Sequence, residues 1–446
     1  MSECQLKATN GFIKFETVPA AMAAANIAWN ENDPTAVLVW YDKIKDQDYF
    51  SNLLPYQIVN RIPDVNLICR KAPLVRILQN TSSCMSDFPQ FLPQSFILPM
   101  QNAQFSQAVA KHQKKYIIKP DNGSLGNGIV ILKPTDNFEP STLLSIAQEY
   151  IESFLLNGTK FDLRVYCLVS SISPELEIFV YRDGIARFCS AKEDSNSVFG
   201  SITNTAVNRH NIQDLSAITK RIETVFSEIA AQGYNVDELW KRIDTIIALT
   251  VISISNFMTK AAHQKCPSYG LPRCFQILGF DILLDPQLNP WILEVNYRPS
   301  LEFDTEEEKE LKVKMLASAM KISAPFTSLQ NAVNTHIGKW SDNTMRSFLD
   351  HHPEILKKIK KDKEAAIRES KFVKVFPTDS PQTKNFERII SALKVMPIKI
   401  ASPYRIPDAA DDATKQRLKT QVAVKPVITL PKRAKSPSKK KPPMRI

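Results

Sequence analysis

Glycine is scarce in this chain: eleven positions among 446 residues, roughly a third of the ~7% usual in globular proteins. Each one is therefore expected where the backbone has a reason for it. Long apolar runs are missing as well. The most apolar stretch, Ile246 to Ile254, is broken by Thr250 and Ser253, which is too short for a membrane span. Met1-Ser2-Glu3-Cys4-Gln5 has neither the basic nor the apolar region of a secretory signal, so a cytosolic protein is expected. The seven cysteines (Cys4, Cys69, Cys84, Cys167, Cys189, Cys266, Cys274) are scattered without CxxC spacing, and the six histidines are dispersed. Zinc ribbons and disulfide scaffolds are thereby excluded. What is present is ordinary for a folded protein, with 43% hydrophobic and 23% charged residues and length enough for two or three domains.

The net charge of +11 resides in one place. Ala413 to Ile446 contains eleven Lys/Arg and no Asp or Glu, and the remaining 46 Lys/Arg balance 46 Asp/Glu. A Pro-, Lys- and Ser-rich segment of this kind is expected to be a disordered basic tail. It reads as a solvated or import-like extension, or as an arm for a polyanion. Nucleic acid is disfavoured as the partner, because the tail has no aromatic residue for base stacking and the body has no excess positive charge.

Three segments carry the chemistry. In the first, Tyr116-Ile117-Ile118-Lys119-Pro120-Asp121 leads into Gly123, Gly126 and Gly128 and then Ile129-Val130-Ile131. A lysine beside a glycine-rich turn suits phosphate oxygens. The spacing is that of neither a P-loop nor a dinucleotide fingerprint, and a plain hairpin would look similar. In the second, Lys160-Phe161-Asp162-Leu163-Arg164-Val165-Tyr166 alternates strictly. Lys160, Asp162, Arg164 and Tyr166 fall on one face and Phe161, Leu163 and Val165 on the other. Arg182-Asp183-Gly184 reads as a turn before a strand carrying Arg187. In the third, Phe280-Asp281-Ile282-Leu283-Leu284 and Trp291-Ile292-Leu293-Glu294-Val295-Asn296 form an apolar hairpin. Its three polar exceptions, Asp281, Glu294 and Asn296, make a hard-oxygen set suited to Mg²⁺. A satisfied buried polar cluster is the competing reading. Residues 205–260 read as helical, from Val236, Leu239, Trp240, Ile243, Ile247 and Ile254, and 354–370 as a charged late helix.

Taken in order, these segments resemble the tubulin–tyrosine ligase-like family of ATP-grasp amino-acid ligases. The likeness runs over roughly 35–380. It includes Asn60-Arg61-Ile62-Pro63 with Arg70-Lys71, Phe96-Ile97-Leu98-Pro99, Lys119-Pro120-Asp121, Gln148-Glu149-Tyr150-Ile151, Lys160-Phe161-Asp162-Leu163-Arg164, Arg182 to Phe188, Thr203-Asn204, Cys274 to Asn296, and Phe372 to Pro377. The resemblance implies an α/β ATP-grasp fold with a small N-terminal domain (35–100), a central domain (101–159) and a C-terminal catalytic domain (160–380). Around these lie a weakly patterned segment at 1–34, a linker at 381–412 and the basic tail at 413–446.

By position, the resemblance implies ATP and Mg²⁺ as cofactors. Lys119 and Lys160 would contact phosphates under a loop of Gly123, Ser124, Leu125, Gly126 and Gly128. Gln148, Glu149, Tyr150 and Ile151 would line the adenine pocket, and Asp162 would sit near the ribose. Asp281, Glu294 and Asn296 would hold the metal. Arg187, Thr203, Asn204 and Lys312 would position the amino acid or the γ-phosphate, with Arg164 beside them. The implied partners are tubulin tails on microtubules and a free amino acid, which places the protein at the cytoplasmic cytoskeleton, including cilium or basal body.

The likeness is greatest to a tubulin polyglutamylase. Glutamate is the first choice, because Arg187, Lys312 and Arg298 offer positive charge to a side-chain carboxylate; tyrosine and glycine are the alternatives. Asn127 departs from the family pattern in the glycine-rich loop, and Thr205-Ala206 and Tyr297-Arg298 depart from it around the amino-acid pocket. A pseudoenzyme that binds microtubules without ligating is the reading from another class.

Overall fold

In the computed structural model the alternating segment around Lys160 lies at the centre of a mixed α/β architecture. The structure describes residues 4–42, 50–83, 88–121, 128–192, 218–336 and 340–395, with 200, 203 and 208 singly. Its strands gather into three sheets.

The first sheet has β1 (Leu6–Phe12), β2 (Ile27–Trp29), β3 (Leu38–Tyr41) and β4 (Ile58–Val59), in the order β2-β1-β3-β4 with all pairs parallel. Helix α1 (Thr17–Ala24) crosses from β1 to β2. Residues 1–34, expected to be weakly patterned, thus supply two strands and a helix. Short parallel strands covered on both faces carry no alternation for a sequence to display. Buried Gln330 ties this sheet to the later chain: its Oε1 accepts from the Lys7 and Val37 amides at 3.0 and 3.2 Å, and its Nε2 donates to the Thr35 carbonyl at 2.8 Å.

Helix α2 (Lys71–Ser82) leads into a second, antiparallel sheet. It comprises β5 (Ser95–Leu98), β6 (Tyr116–Pro120), β7 (Val130–Leu132) and β8 (Ser145–Glu149), ordered β5-β8-β6-β7. Helix α3 (Asn102–His112) packs on it through Phe105, which meets Tyr116 and Phe138 edge-on at 5.1 and 4.6 Å.

The third sheet is the largest and positions the site. Its strands are β9 (Leu155–Leu156), β10 (Thr159–Ser171), β11 (Glu177–Phe188), β12 (Thr219–Arg221), β13 (Gln276–Leu284), β14 (Pro290–Asn296) and β15 (Phe372–Phe376). The main path runs β12-β11-β10-β13-β14, with β15 on β11 and β9 on β10. One face of β10, with Phe161, Leu163, Val165, Cys167 and Val169, packs against α4 (Ile222–Ala231), α5 (Val236–Ile252) and α6 (Ser255–Lys265). The other, with Tyr166 and Leu168, shares a core with the first sheet, α7 (Glu306–Ser323), α8 (Thr327–Thr335), α9 (Asp342–His351) and α10 (Pro353–Arg368). The strand is therefore covered on both sides, and Tyr166 is fully buried.

Two local expectations are corrected. Arg182-Asp183-Gly184 is no turn but a bulge within β11, where the register with β10 jumps between Val165↔Gly184 and Cys167↔Val180. Gly184 is required there because an added Cβ would overlap the Arg164 carbonyl oxygen. The linker expected at 381–412 begins instead as α11 (Pro381–Val395), which buries Phe386, Ile389 and Leu393 in the core of the third sheet. The helical region at 205–260 resolves into β12, α4, α5 and the start of α6. Of residues 205–217, only Asn208 is described. Among the described residues no single helix is long and apolar enough to cross a membrane.

Candidate active site

Strand register assembles the polar cluster. Arg187 on β11 faces Asp162 on β10. Arg164, two residues further along β10, faces Asp281 on β13, which in turn faces Glu294 on β14. Opposite charges directly across neighbouring strands attract one another. Arg187 donates to both Asp162 oxygens at 2.7 Å and approaches Asp281 at 2.9 Å, and Arg164 grips Asp281 with Nε and Nη2. Thr203 Oγ1 donates to Asp162 Oδ2 at 2.6 Å. Asp162, expected beside a ribose, is here a buried partner of Arg187 and Thr203.

The three residues expected to hold a metal stand together at the end of the hairpin. Asn296 Nδ2 lies 3.3 Å from Asp281 Oδ2 and 3.4 Å from Glu294 Oε1. Burial alone would raise Asp281, but Arg164 and Arg187 hold it well below the usual carboxylate range. Glu294 is pushed up, first by burial and then by the Asp281 charge. Its side chain keeps 37% of its surface accessible against 4% for Asp281, so it is the ligand a cation would reach from outside. Two carboxylates that repel each other beside an amide make a donor set suited to a hard divalent cation. Half a turn of the Asn296 amide points its oxygen between them.

Facing this cluster are cations from the second sheet and α2. Lys71 Nζ lies 3.8 Å from Glu294 Oε2. Buried Lys119 donates to Gln148 Oε1 at 3.1 Å, and Gln148 donates to Ser95 Oγ at 2.9 Å. Burial first, and the Lys71 charge next, push Lys119 down to about 8, with Glu294 and Asp281 near enough to oppose the shift. Lys160 donates to the Tyr150 hydroxyl at 2.7 Å and stands 4.2 Å from its ring centre. Glu149 turns instead to Lys114 at 2.7 Å. Ile151 follows Tyr150, whose amide bonds to the Lys115 carbonyl at 3.0 Å. Lys312 is buried, donates to Glu308 at 2.6 Å and to the Glu302 carbonyl, and is lowered chiefly by burial. Gly128, at φ +72°, ends the glycine-rich loop. Gly123, Ser124, Leu125, Gly126 and Asn204, with Asn127, Thr205 and Ala206, lie outside the described residues.

Sequence reasoning assigned no role to three contributors. Lys71 reaches Glu294 from a helix over two hundred positions away, which no local pattern announces. Asp121 anchors that helix, accepting from the Ala72 amide at 2.8 Å and from Arg70 Nε at 3.0 Å. Gly279, opposite Tyr166 on β10 and Asn296 on β14, lets the Arg164 side chain lie flat across β13. A Cβ there would stand 2.9 Å from Pro299 Cβ and 3.0 Å from Arg164 Cδ. Glycine scarcity was the available signal. Gly279→Ala is expected to cost about 1–3 kcal/mol, as overpacking does. Urea unfolding checks this, and an unchanged midpoint would show that Arg164 moves aside freely.

Residues 49–332 match the sequence profile of the Tubulin-tyrosine ligase family. The chain is 36% identical over 299 residues to tubulin polyglutamylase TTLL6 of Mus musculus, covering 64% of this chain and 36% of that protein. It is 35% identical over 317 residues to tubulin polyglutamylase TTLL7 of Homo sapiens (66% and 35%). With tubulin polyglutamylase TTLL13 of Mus musculus the identity is 33% over 325 residues (69% and 40%). The match thus spans between a third and two fifths of the length of these relatives. The chain belongs to the tubulin-tyrosine ligase family.

Proposed function

We propose that this protein is an ATP-dependent ligase of the ATP-grasp type that joins a free amino acid, glutamate in the first instance, to carboxyl groups of tubulin tails. The observation that carries this reading is the meeting of two walls. Lys71 and Lys119 come from α2 and the second sheet, and Asp281, Glu294 and Asn296, with Lys160 on β10, from the third. Anionic phosphates with a divalent cation are the ligand such a pair of walls suits. In this reading 35–100, 101–159 and 160–380 are the three lobes of the grasp, and the glycine-rich segment covers the phosphates.

Each residue then has a task. Lys119 and Lys160 neutralise phosphate oxygens, with Lys160 leaving the Tyr150 hydroxyl to do so. Gln148 to Ile151 border the adenine. Asp281, Glu294 and Asn296 would hold Mg²⁺, which when bound supplies charge neutralisation at the β- and γ-phosphates. Arg164 and Arg187 fix Asp281 and lend positive charge to the transfer, and Lys312 serves the amino-acid side.

A carboxylate resists attack by amines. An acceptor carboxylate oxygen therefore takes the γ-phosphoryl group as the bond to the ADP oxygen breaks. The amine then adds to the acyl carbon, loses a proton to solvent and expels phosphate, which leaves an amide. Positioning and charge do this work, and no nucleophilic side chain is needed. The basic tail would hold the enzyme near the acidic microtubule surface, at the cytoplasmic cytoskeleton.

The test is incubation with tubulin, ATP, Mg²⁺ and each candidate amino acid, reading mass increments on the tails. Increments of glutamate support the proposal; tyrosine or glycine increments change the donor. Nucleotide binding without any increment favours the non-ligating reading.

Lys119 makes a pH prediction. Its ordinary lysine value is lowered to about 8, so it is charged below that pH and neutral above it. ATP affinity is expected to fall as pH rises through 8, with proton uptake on binding over the range where it falls and none well below it. Calorimetry in buffers of different ionisation enthalpy measures both. Lys119→Arg, which stays charged, should flatten the profile, and an equally steep profile would remove Lys119 from the phosphates.

A further inference from the structure

A pocket opens beside the hairpin end. Its aromatic walls are Phe15, Trp40, Phe275 and Tyr297, and its charged groups are Arg61, Arg298 and Asp42. Two guanidinium groups converge there on one neutral atom: Arg61 Nη2 and Arg298 Nη1 donate to the Asp42 carbonyl oxygen at 3.1 and 3.3 Å. The Asp42 carboxylate is directed elsewhere, accepting from Trp40 Nε1 at 2.7 Å and from the Lys14 and Phe15 amides at 2.6 and 3.3 Å. Arg298 itself is solvent-exposed and makes no ion pair among the described residues. The exposed Arg298 charge beside Arg61 favours an anion next to it.

The cavity is built onto the reaction site. Tyr297 and Arg298 directly follow Asn296. The Tyr297 carbonyl is held by buried Gln276 at 2.8 Å, and the same Gln276 accepts from the Ile62 amide next to Arg61 at 3.2 Å. Pro299, another wall of the cavity, approaches Gly279 on β13, across which the Arg164 side chain of β10 lies. The pocket and the cluster of charged pairs are therefore neighbours across one residue of β13.

We infer that this cavity takes a carboxylate side chain of the acceptor peptide, held by Arg298 with Arg61 behind it, and so sets which acidic position is presented for activation. The inference rests on the proposed ligase reading and deepens it. Arg298 is thereby reassigned from the free amino acid to the acceptor. Aromatic walls suit the methylene stem and backbone of an acidic peptide, and a pocket outside the Lys119–Glu294 cleft leaves that cleft to nucleotide.

The probe is a fluorescein-labelled peptide of alternating glutamate and glycine, followed by anisotropy with full-length protein and a non-hydrolysable ATP analogue. Arg298→Ala, at an exposed position, is expected to weaken peptide binding about tenfold, the scale of one charge-assisted hydrogen bond, and Arg298→Lys to recover part of it. ATP affinity should not move. Free L-glutamate at millimolar concentration should not displace the peptide. Equal affinity of wild type and Arg298→Ala overturns the inference. So does displacement by free glutamate in wild type only, which would return Arg298 to the amino-acid donor. Because binding is read without turnover, an Arg298-dependent peptide complex in a protein that ligates nothing would sustain the pocket and refute the ligase reading.

Discussion

Glu294→Gln is expected to abolish ligation, by about a thousandfold or more, while the protein stays folded. The two side chains have nearly the same shape, so packing at the hairpin end is kept. What is lost is one of two negative charges facing Lys71, Lys119 and the proposed cation. Removing a single charge stabiliser from a transfer site slows reactions on about that scale. Stability should move the other way. Glu294 is pushed up by burial and by Asp281, so its ionised form costs stability above its own folded value, and the neutral amide removes that cost. The urea midpoint at neutral pH is expected to be unchanged or higher. Retained turnover at saturating Mg²⁺ would show that the metal is held elsewhere.

Arg187→Ala is expected to cost about 3–5 kcal/mol, the scale for removing one partner of a buried ion pair. Arg187 answers two carboxylates, Asp162 and Asp281, whose side chains are 3% and 4% exposed. After its loss Asp162 keeps the Thr203 hydroxyl and Asp281 keeps Arg164. Pairing the change with Asp162→Asn should recover part of the loss, because the charge left bare is then removed as well. The pH dependence has a definite sign. Asp281 lies below its ordinary value, so the stability it contributes is present above about pH 4 and fades as pH falls towards its folded value. The gap between wild type and Arg187→Ala should narrow in that window. A difference below 1 kcal/mol at neutral pH would mean that water reaches the cluster freely.

Legibility in the sequence followed the physics of each element. Phe161, Leu163 and Val165 read correctly as inward-facing, because period two survives wherever one face is apolar. Tyr166 read as a companion of Lys160 and Arg164, yet it is buried: the second cover, from α7 and the first sheet, is tertiary and leaves no local trace. Phe386, Ile389 and Leu393 recur at helical spacing, but the flanking Pro and Ser made the segment look like a linker. Asp281, Glu294 and Asn296 were legible as a set because all three lie at the open end of one short hairpin, where a one-residue register shift after Asp281 does not part them. Asp162 with Arg187, and Lys71 with Glu294, were not, since a register jump and a different lobe bring them together.

The most direct measurement follows oxygen. Acceptor peptide carrying heavy oxygen in its side-chain carboxyls is incubated with ATP, Mg²⁺ and glutamate, and the released phosphate is analysed by mass. Transfer of the γ-phosphoryl group to the acceptor predicts one heavy oxygen in each phosphate per amide formed, and none with Glu294→Gln. Amide formation that leaves the phosphate unlabelled would contradict activation of the carboxyl at this site.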